Sequence, residues 1–524
     1  MLAGCRGGGT AVERATAAGL LLVGNGPEPE GLDPVFTTST SALQIQQAVF
    51  EGLTTPHPED LRPQPGVAER WEVAEDGLTY HFFLRKNATW SDGKPVTAHD
   101  FAFAWRRMLN PEMGGANASL LYLIAGAEAY HRGQADDFAA VGISVLGERE
   151  LVVRLAYPAP YFPSMLAHPA FFPVPEHAVR AQGSIADRSN PWTRPANFVG
   201  NGPFIVTAWR PQQYLEVARN PHYWDRDIVA LNGIRFFAIS DPSAEERSFQ
   251  GGQLHVTEAL PPARVHPYRD QNAPQLRIDP YLGVYYVMIN HRHPLLGRLE
   301  VRRALSRAID REVICERLLG AGQAPAYSFT PSALPGYLPP ALPGSSGTPE
   351  PLPAGDSKAI NYLYNTSDAN RVIAEALREM WRGGSGLDLS LENVEFRTYL
   401  ARRETADFEL ARGVWIGDFL DPMTFLGLWQ SGGAGSDWSG WSNPEYDRLL
   451  AEANHHRDAA ARAAKLRQAE ALLLREQVML PIYHYVTVYL KRPEVTGWHP
   501  TLLDWHPWKH VGLQRPPEAP SGEN

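Results

Sequence analysis

Between Thr79 and Leu109 the hydrophobic period of the chain changes from that of a strand to that of a helix, and this switch restricts the fold more than any other feature. Thr79 to Leu84 (TYHFFL) alternates apolar and polar side chains, which predicts a half-buried strand. Ser91 to Pro95 (SDGKP) has the composition of a turn. Thr97 and Asp100 then stand three apart as a capping box, opening a helix whose buried face carries Phe101, Trp105 and Met108. The expected class is α/β.

Similar signals recur along the chain. Gly19 to Gly26 (GLLLVGNG) reads as a short buried strand running into a turn, and Pro27 with a missing third glycine rules out a dinucleotide fingerprint. Glu150 to Tyr157 and Asn201 to Val217 alternate as strands, with prolines at 158, 160, 163, 169, 173 and 175 making an irregular connection suited to a crossing between lobes. Pro280 to Leu296 is a tyrosine-rich strand. From Leu299 the helical period turns Val301, Leu305, Ile309 and either Ile314 or Leu318 inward, and Gly320 closes the helix. Residues 325–353 hold nine prolines and are expected to form an exposed loop of polyproline character. A capped helix runs from Ser367 or Asp368 to Trp381, Pro444 takes the first helical position after Asn443, and Leu480 to Leu490 is a final strand.

A chain of 524 residues exceeds what one core supports, so two or three domains are expected. Apolar residues are 44% and charged residues 20%, with no run of 18 apolar residues to cross a bilayer. The net charge of -10 includes no basic block, which argues against nucleic acid as a partner. Two cysteines, Cys5 and Cys315, are too few for a disulfide framework or a structural zinc site. The 14 tryptophans suit aromatic-lined clefts as well as cores.

The stretch richest in chemistry is ARGVWIGDFLDP, Ala411 to Pro422. Arg412, Trp415 and Asp418 crowd one short segment, and Gly413 and Gly417 leave room for another extended backbone, as when a peptide is added beside a strand. Such a segment can meet a peptide's ammonium, its carboxylate and the amides between. The alternative is a core strand ending in a loop with two solvated charges. No HExxH, CxxC, phosphate loop or nucleophile elbow is present. His506 and His510 have helical metal-pair spacing, but Pro507 breaks the helix that would align them, so no metal and no cofactor are expected.

The ordered segments FEGL, GVAERWEV, YHFFLRKNATWSDGKPVTAHDF, NGPF and ARNPHYWD resemble the extracytoplasmic solute-binding proteins of peptide-importing ABC transporters, in particular the oligopeptide-binding branch. The resemblance runs from about Leu20 to beyond Tyr489. It implies a type 2 periplasmic-binding-protein-like fold, with two lobes, a hinge and an extra small domain. The implied arrangement is a tether at 1–18, domain I at 19–50, 179–282 and 485–524, domain II at 51–178, and domain III at 283–484. It implies no enzymatic activity; the protein would act as a monomer that closes on a short peptide and delivers it to a permease with its ATPase subunits.

The resemblance also places the ligand. Asp418 takes the peptide ammonium, Arg412 the carboxylate of a tripeptide, and main chain at Val414, Ile416 and Gly417 pairs with the peptide beside Trp415. Arg403, Tyr281, Tyr286, Phe396, Asn370 and Thr40 complete the expected site, with Tyr285 near it. Leu319 and Asn370 stand where relatives carry a lysine or histidine for longer peptides, and Thr38 and Met288 where acids surround the site. Longer ligands would lose charged anchors, which predicts a preference for about three residues, an extended length of roughly 10 Å. Leu2-Ala3-Gly4-Cys5 resembles a lipoprotein cleavage motif without its preceding apolar stretch, and a lipid on Cys5 is the one membrane contact expected. The alternatives are the same fold with another ligand (nickel chelate, heme, murein peptide or sugar) and an extracytoplasmic hydrolase.

Overall fold

The strand and capped helix that open the sequence argument form as their residues dictate. In a computed structural model, which describes residues 9–342, 352 and 359–514, Thr79–Leu84 is a strand with every second residue buried. Ala98–Leu109 is a helix behind a Thr97–Asp100 capping box, with Phe101, Trp105 and Met108 buried. Asp100 also accepts the Trp90 indole N–H at 3.4 Å, and Trp105 donates to the Phe171 carbonyl at 3.0 Å. Cys5 lies outside the described residues.

The chain divides into two units, 1–277 with 488–524, and 278–487. The first holds two four-stranded sheets. One is ordered Leu20–Gly24, Gly233–Phe237, Tyr214–Arg219, Phe204–Arg210, its first pair parallel and the others antiparallel. The other, Ala68–Val73, Thr79–Leu84, Glu150–Arg154, Ile143–Gly147, is antiparallel throughout. The segments that carried the family resemblance meet in this unit. Glu51 of FEGL accepts from Tyr223 at 2.5 Å and Trp224 at 2.6 Å, both of ARNPHYWD. Asn201 of NGPF clamps the Glu51 backbone through both polar atoms of its side chain, at 3.0 and 2.8 Å. The signature is therefore a device that holds the fold.

The second unit is built on a six-stranded sheet ordered Ala324–Pro325, Met479–Leu490, Leu276–Ile289, Leu410–Ile416, Ile360–Asn365, Leu389–Val394. One face buries Tyr285, Val287, Leu410, Tyr362 and Ile482 against Val301, Leu305, Ile373, Leu377 and Trp381 of two helices, Leu299–Arg307 and Asp368–Gly384. Each large apolar side chain so placed contributes about 1.5–3 kcal/mol. Ile314 points inward and Leu318 outward, 41% exposed. The helix expected from Leu299 to Gly320 breaks after Arg307 and resumes as a π-helix, Val313–Leu319, which Gly320 ends in the left-handed region at φ +63.

The proline-rich stretch departs from the expectation of an exposed loop. Up to Leu342 it is an irregular segment anchored in the core at intervals, with Phe329, Thr330, Leu334 and Tyr337 buried while Ser332, Ala333, Pro335, Gly336 and Leu338 are exposed. The buried Glu470 holds it by accepting from the Phe329 and Thr330 N–H groups at 2.9 and 2.8 Å and from the Tyr337 hydroxyl at 2.6 Å. Residues 343–351 and 353–358 lie outside the described residues.

Candidate functional site

The Leu410–Ile416 strand pairs antiparallel with Leu276–Ile289 along its length, from Gly283 opposite Ile416 to Ile289 opposite Leu410. On its other side the parallel ladder with Ile360–Asn365 covers Leu410 and Ala411 alone. Antiparallel strands direct successive main-chain groups alternately to one neighbour and the other. The Gly417 N–H donates to the Leu282 carbonyl at 2.7 Å, so alternation turns the amides of Trp415 and Gly413 the same way and those of Val414 and Ile416 to the opposite edge. Among the described residues no strand pairs with that edge past Ala411. The Tyr399 hydroxyl occupies the Arg412 carbonyl at its start.

Asp418 follows the open edge. Its N–H donates to Thr424 Oγ1 at 2.9 Å, and Trp415 Nε1 donates to the Thr424 carbonyl at 2.6 Å, so one threonine holds the turn and the indole together. The Asp418 carboxylate has no ion-pair or hydrogen-bond partner among the described residues. Asp418 is half-buried, and the loss of solvent around it pushes its pKa up to about 6, the response of a partly desolvated carboxyl without a compensating cation. Asp421, three residues on, is the opposite case. Arg462 grips it through two bonds of 2.6 and 2.8 Å, and both are nearly inaccessible. Nothing in GDFLDP distinguishes the structural acid from the unpaired one.

Arg412 lies among aromatics. Its guanidinium carbon is 5.6 Å from the Tyr285 ring centre and 6.0 Å from that of Tyr399. Nη1 donates to Asn365 Oδ1 at 2.8 Å, while Nε is buried without a partner. Burial opposes the charge, and the hydroxyls of Tyr485, Tyr285 and Tyr399 outweigh it, so the net shift is upward. Arg403 stacks on Trp438 at 4.2 Å and lies 5.8 Å from the Tyr399 ring, again with a buried and unpartnered Nε. Neither arginine has a carboxylate partner among the described residues. Two guanidinium groups thus stand beside one tyrosine with no carboxylate to neutralise them among the described residues.

Other expected site residues separate. Phe396 is 51% exposed and stacks on Tyr399 with centroids 6.3 Å apart. Tyr281 is half-buried on the Leu276–Ile289 strand. Tyr286 is fully buried between Phe329 and Trp429. Its ring also explains Gly413, where an added Cβ would lie 2.4 Å from it. A Cβ on Gly417 would meet Leu282 at 2.7 Å. The room left by both glycines is filled from within the unit, which corrects their reading as space for a ligand backbone. Asn370 is buried at the third position of its helix and bonded to Asn365. Thr40 is exposed at the start of a helix in the first unit. Leu319 packs against the core, and Met288 is fully buried.

Sequence reasoning missed Asn365, Tyr399, Tyr485 and Thr424, which surround Arg412 and brace Asp418 from other elements and carry no motif. His506 is hydrogen-bonded to Asp504 at 3.1 Å and stacked on Trp498. Of the tryptophans, Trp90, Trp105, Trp192, Trp381 and Trp429 are among the largest fully buried side chains.

Comparisons with known proteins agree with this architecture. The dipeptide-binding protein DppE of Bacillus subtilis is 32% identical over 518 residues, covering 94% of this chain and 91% of the relative. The periplasmic murein peptide-binding protein MppA of Escherichia coli is 33% identical over 486 residues, covering 90% and 88%. The crystal structure of Haemophilus influenzae OppA in complex with RPPGFSPFR superposes with a TM-score of 0.80 at 30% identity, covering 95% of this chain and 99% of that one. Residues 62–437 match the family described as bacterial extracellular solute-binding proteins, family 5. The chain is a member of that family of extracellular solute-binding proteins.

Proposed function

We propose that the protein is the peptide-binding component of an ABC importer, taking a short extended peptide along the open edge of the Leu410–Ile416 strand and passing it to a permease and its ATPases. The peptide ammonium pairs with Asp418, its main chain bonds to Val414 and Ile416, and its carboxylate meets Arg412. Main-chain pairing is blind to side-chain identity, so such a site accepts many sequences. The observation that carries this reading is the Asp418 carboxylate, half-buried with no cation of its own among the described residues. A carboxylate that loses solvent without a partner is costly to keep charged, and a ligand ammonium placed against it would remove that cost. The reading includes no turnover, and its place of action is outside the cytoplasmic membrane.

Length preference follows from Arg412. Arg412 and Asp418 stand six residues apart, roughly 20 Å if fully extended, against roughly 10 Å for an extended tripeptide; the reach of the arginine side chain and the turn that begins after Ile416 have to close the gap. The relatives are named for a dipeptide and a murein peptide, and one is crystallised with the nonapeptide RPPGFSPFR, so length is a property of each member and has to be argued from each site. Mass spectrometry of ligand released on denaturing the purified protein tests the ligand class. Short peptides support the proposal, and a sugar, heme or metal chelate refutes it. Calorimetry with tripeptides and pentapeptides tests length, and equal affinities would remove the tripeptide preference.

A further inference from the structure

Arg412 is oriented by neutral oxygens, that of the Asn365 side chain and the hydroxyl of Tyr485. Its Nη1 donates to Asn365 Oδ1 at 2.8 Å. Asn365 ends the Ile360–Asn365 strand and is itself held. Asn370 Nδ2 donates to the Asn365 carbonyl at 3.0 Å and to Asn365 Oδ1 at 3.1 Å. Asn370 is 5% exposed, and its own N–H donates to the capping Ser367 Oγ at 3.1 Å. Both protons of its amide are consumed, so Asn370 has none left for a ligand and serves as a brace. The Asn365 oxygen is thus fixed from the helix cap on one side and aims the guanidinium on the other.

The choice of an amide has a chemical consequence. A carboxylate in the same place would orient Arg412 equally well and also neutralise it. Asn365 supplies the geometry without the charge, and with no carboxylate on Arg412 among the described residues the full positive charge remains for the ligand. The buried and unpartnered Nε leaves the guanidinium under-used within the protein.

We infer that Asn365, braced by Asn370, is the positioning residue that makes the site select peptides with a free C-terminal carboxylate. The inference rests on the peptide reading above. Calorimetry compares wild type, Asn365→Ala, Asn365→Asp and Asn370→Ala, each with one tripeptide as free acid and as C-terminal amide. Wild type is expected to favour the acid by about a hundredfold, the ratio of a charge-assisted contact to its absence. Asn365→Ala should weaken the acid about tenfold and leave the amide within twofold, and Asn370→Ala should do the same more mildly. Asn365→Asp keeps both hydrogen bonds and the shape, so it remains informative if the alanine variant fails to fold. It should bring the acid and amide affinities together by supplying Arg412 with an internal counter-charge. Equal weakening of acid and amide in these variants, or an unchanged ratio in Asn365→Asp, overturns the inference while the peptide reading stands. A wild type that binds neither form overturns both.

Discussion

Replacing Asp418 by Asn separates stability from binding, because the carboxylate acts in opposite directions on each. In the ligand-free protein burial raises the Asp418 pKa from 3.8 to about 6. A folded pKa above the unfolded one means that the folded state holds the proton more tightly, so stability is present below about pH 4 and is lost as pH rises through about 6. Two pKa units at about 1.4 kcal/mol each give an upper figure of about 3 kcal/mol of strain at neutral pH. Asn removes that strain without changing shape. The second unit spans 278–487, and for a body of that size each kcal/mol moves the melting temperature by about 2–4 °C. The ligand-free variant should therefore melt roughly 5 °C or more above wild type near neutral pH, with the difference shrinking to about 1 kcal/mol near pH 4.5. Peptide affinity should fall several-hundred-fold, since breaking a buried pair costs about 3–5 kcal/mol. Calorimetric melts across pH, with and without tripeptide, read both effects. A variant that melts lower than wild type without ligand, or binds peptide as well, refutes the reasoning.

Other consequences follow from the same geometry. Peptide affinity should be flat just below neutral pH and fall about tenfold per unit below about pH 6, where Asp418 takes its proton, and fall again above about pH 8, where the peptide amine loses its own; calorimetry in matched buffers measures this, and a flat profile from pH 4 to 7 contradicts it. Gly413→Ala should destabilise by about 1–3 kcal/mol through the contact with the Tyr286 ring, and Tyr286→Leu in the same chain should recover part of that loss in urea melts. Glu470→Ala leaves two backbone N–H groups and the Tyr337 hydroxyl without their acceptor, so hydrogen exchange should accelerate across 326–342 and stability should fall by about 3 kcal/mol or more.

What was legible in the sequence is what is local. The Thr97–Asp100 box, the Asn443 cap before Pro444 and the left-handed Gly320 are each written within a few residues, and each forms as read. The unpaired Asp418 was nameable through the family motif. What was illegible depends on residues far apart in the chain. Glu470 reaches the proline-rich stretch across more than a hundred positions, so a segment with loop composition is anchored in the core at Phe329, Thr330 and Tyr337. Gly413 answers to Tyr286 on the neighbouring strand, a pairing fixed by register and invisible in composition. Asn365 carries no motif, and its hold on Arg412 exists because the sheet order sets the two strands side by side. FEGL and ARNPHYWD were legible as signature and not as partners, because Glu51 meets Tyr223 and Trp224 only after folding.

The central claim is that a peptide ammonium completes Asp418. Isothermal titration of the purified protein with a free tripeptide and with its N-acetyl derivative tests it most directly, in wild type and in Asp418→Asn. Acetylation should weaken wild-type binding by a hundredfold or more, as loss of a charge pair shielded from water requires, and Asp418→Asn should bind the two forms alike. Equal wild-type affinity for the free and acetylated peptides would contradict it.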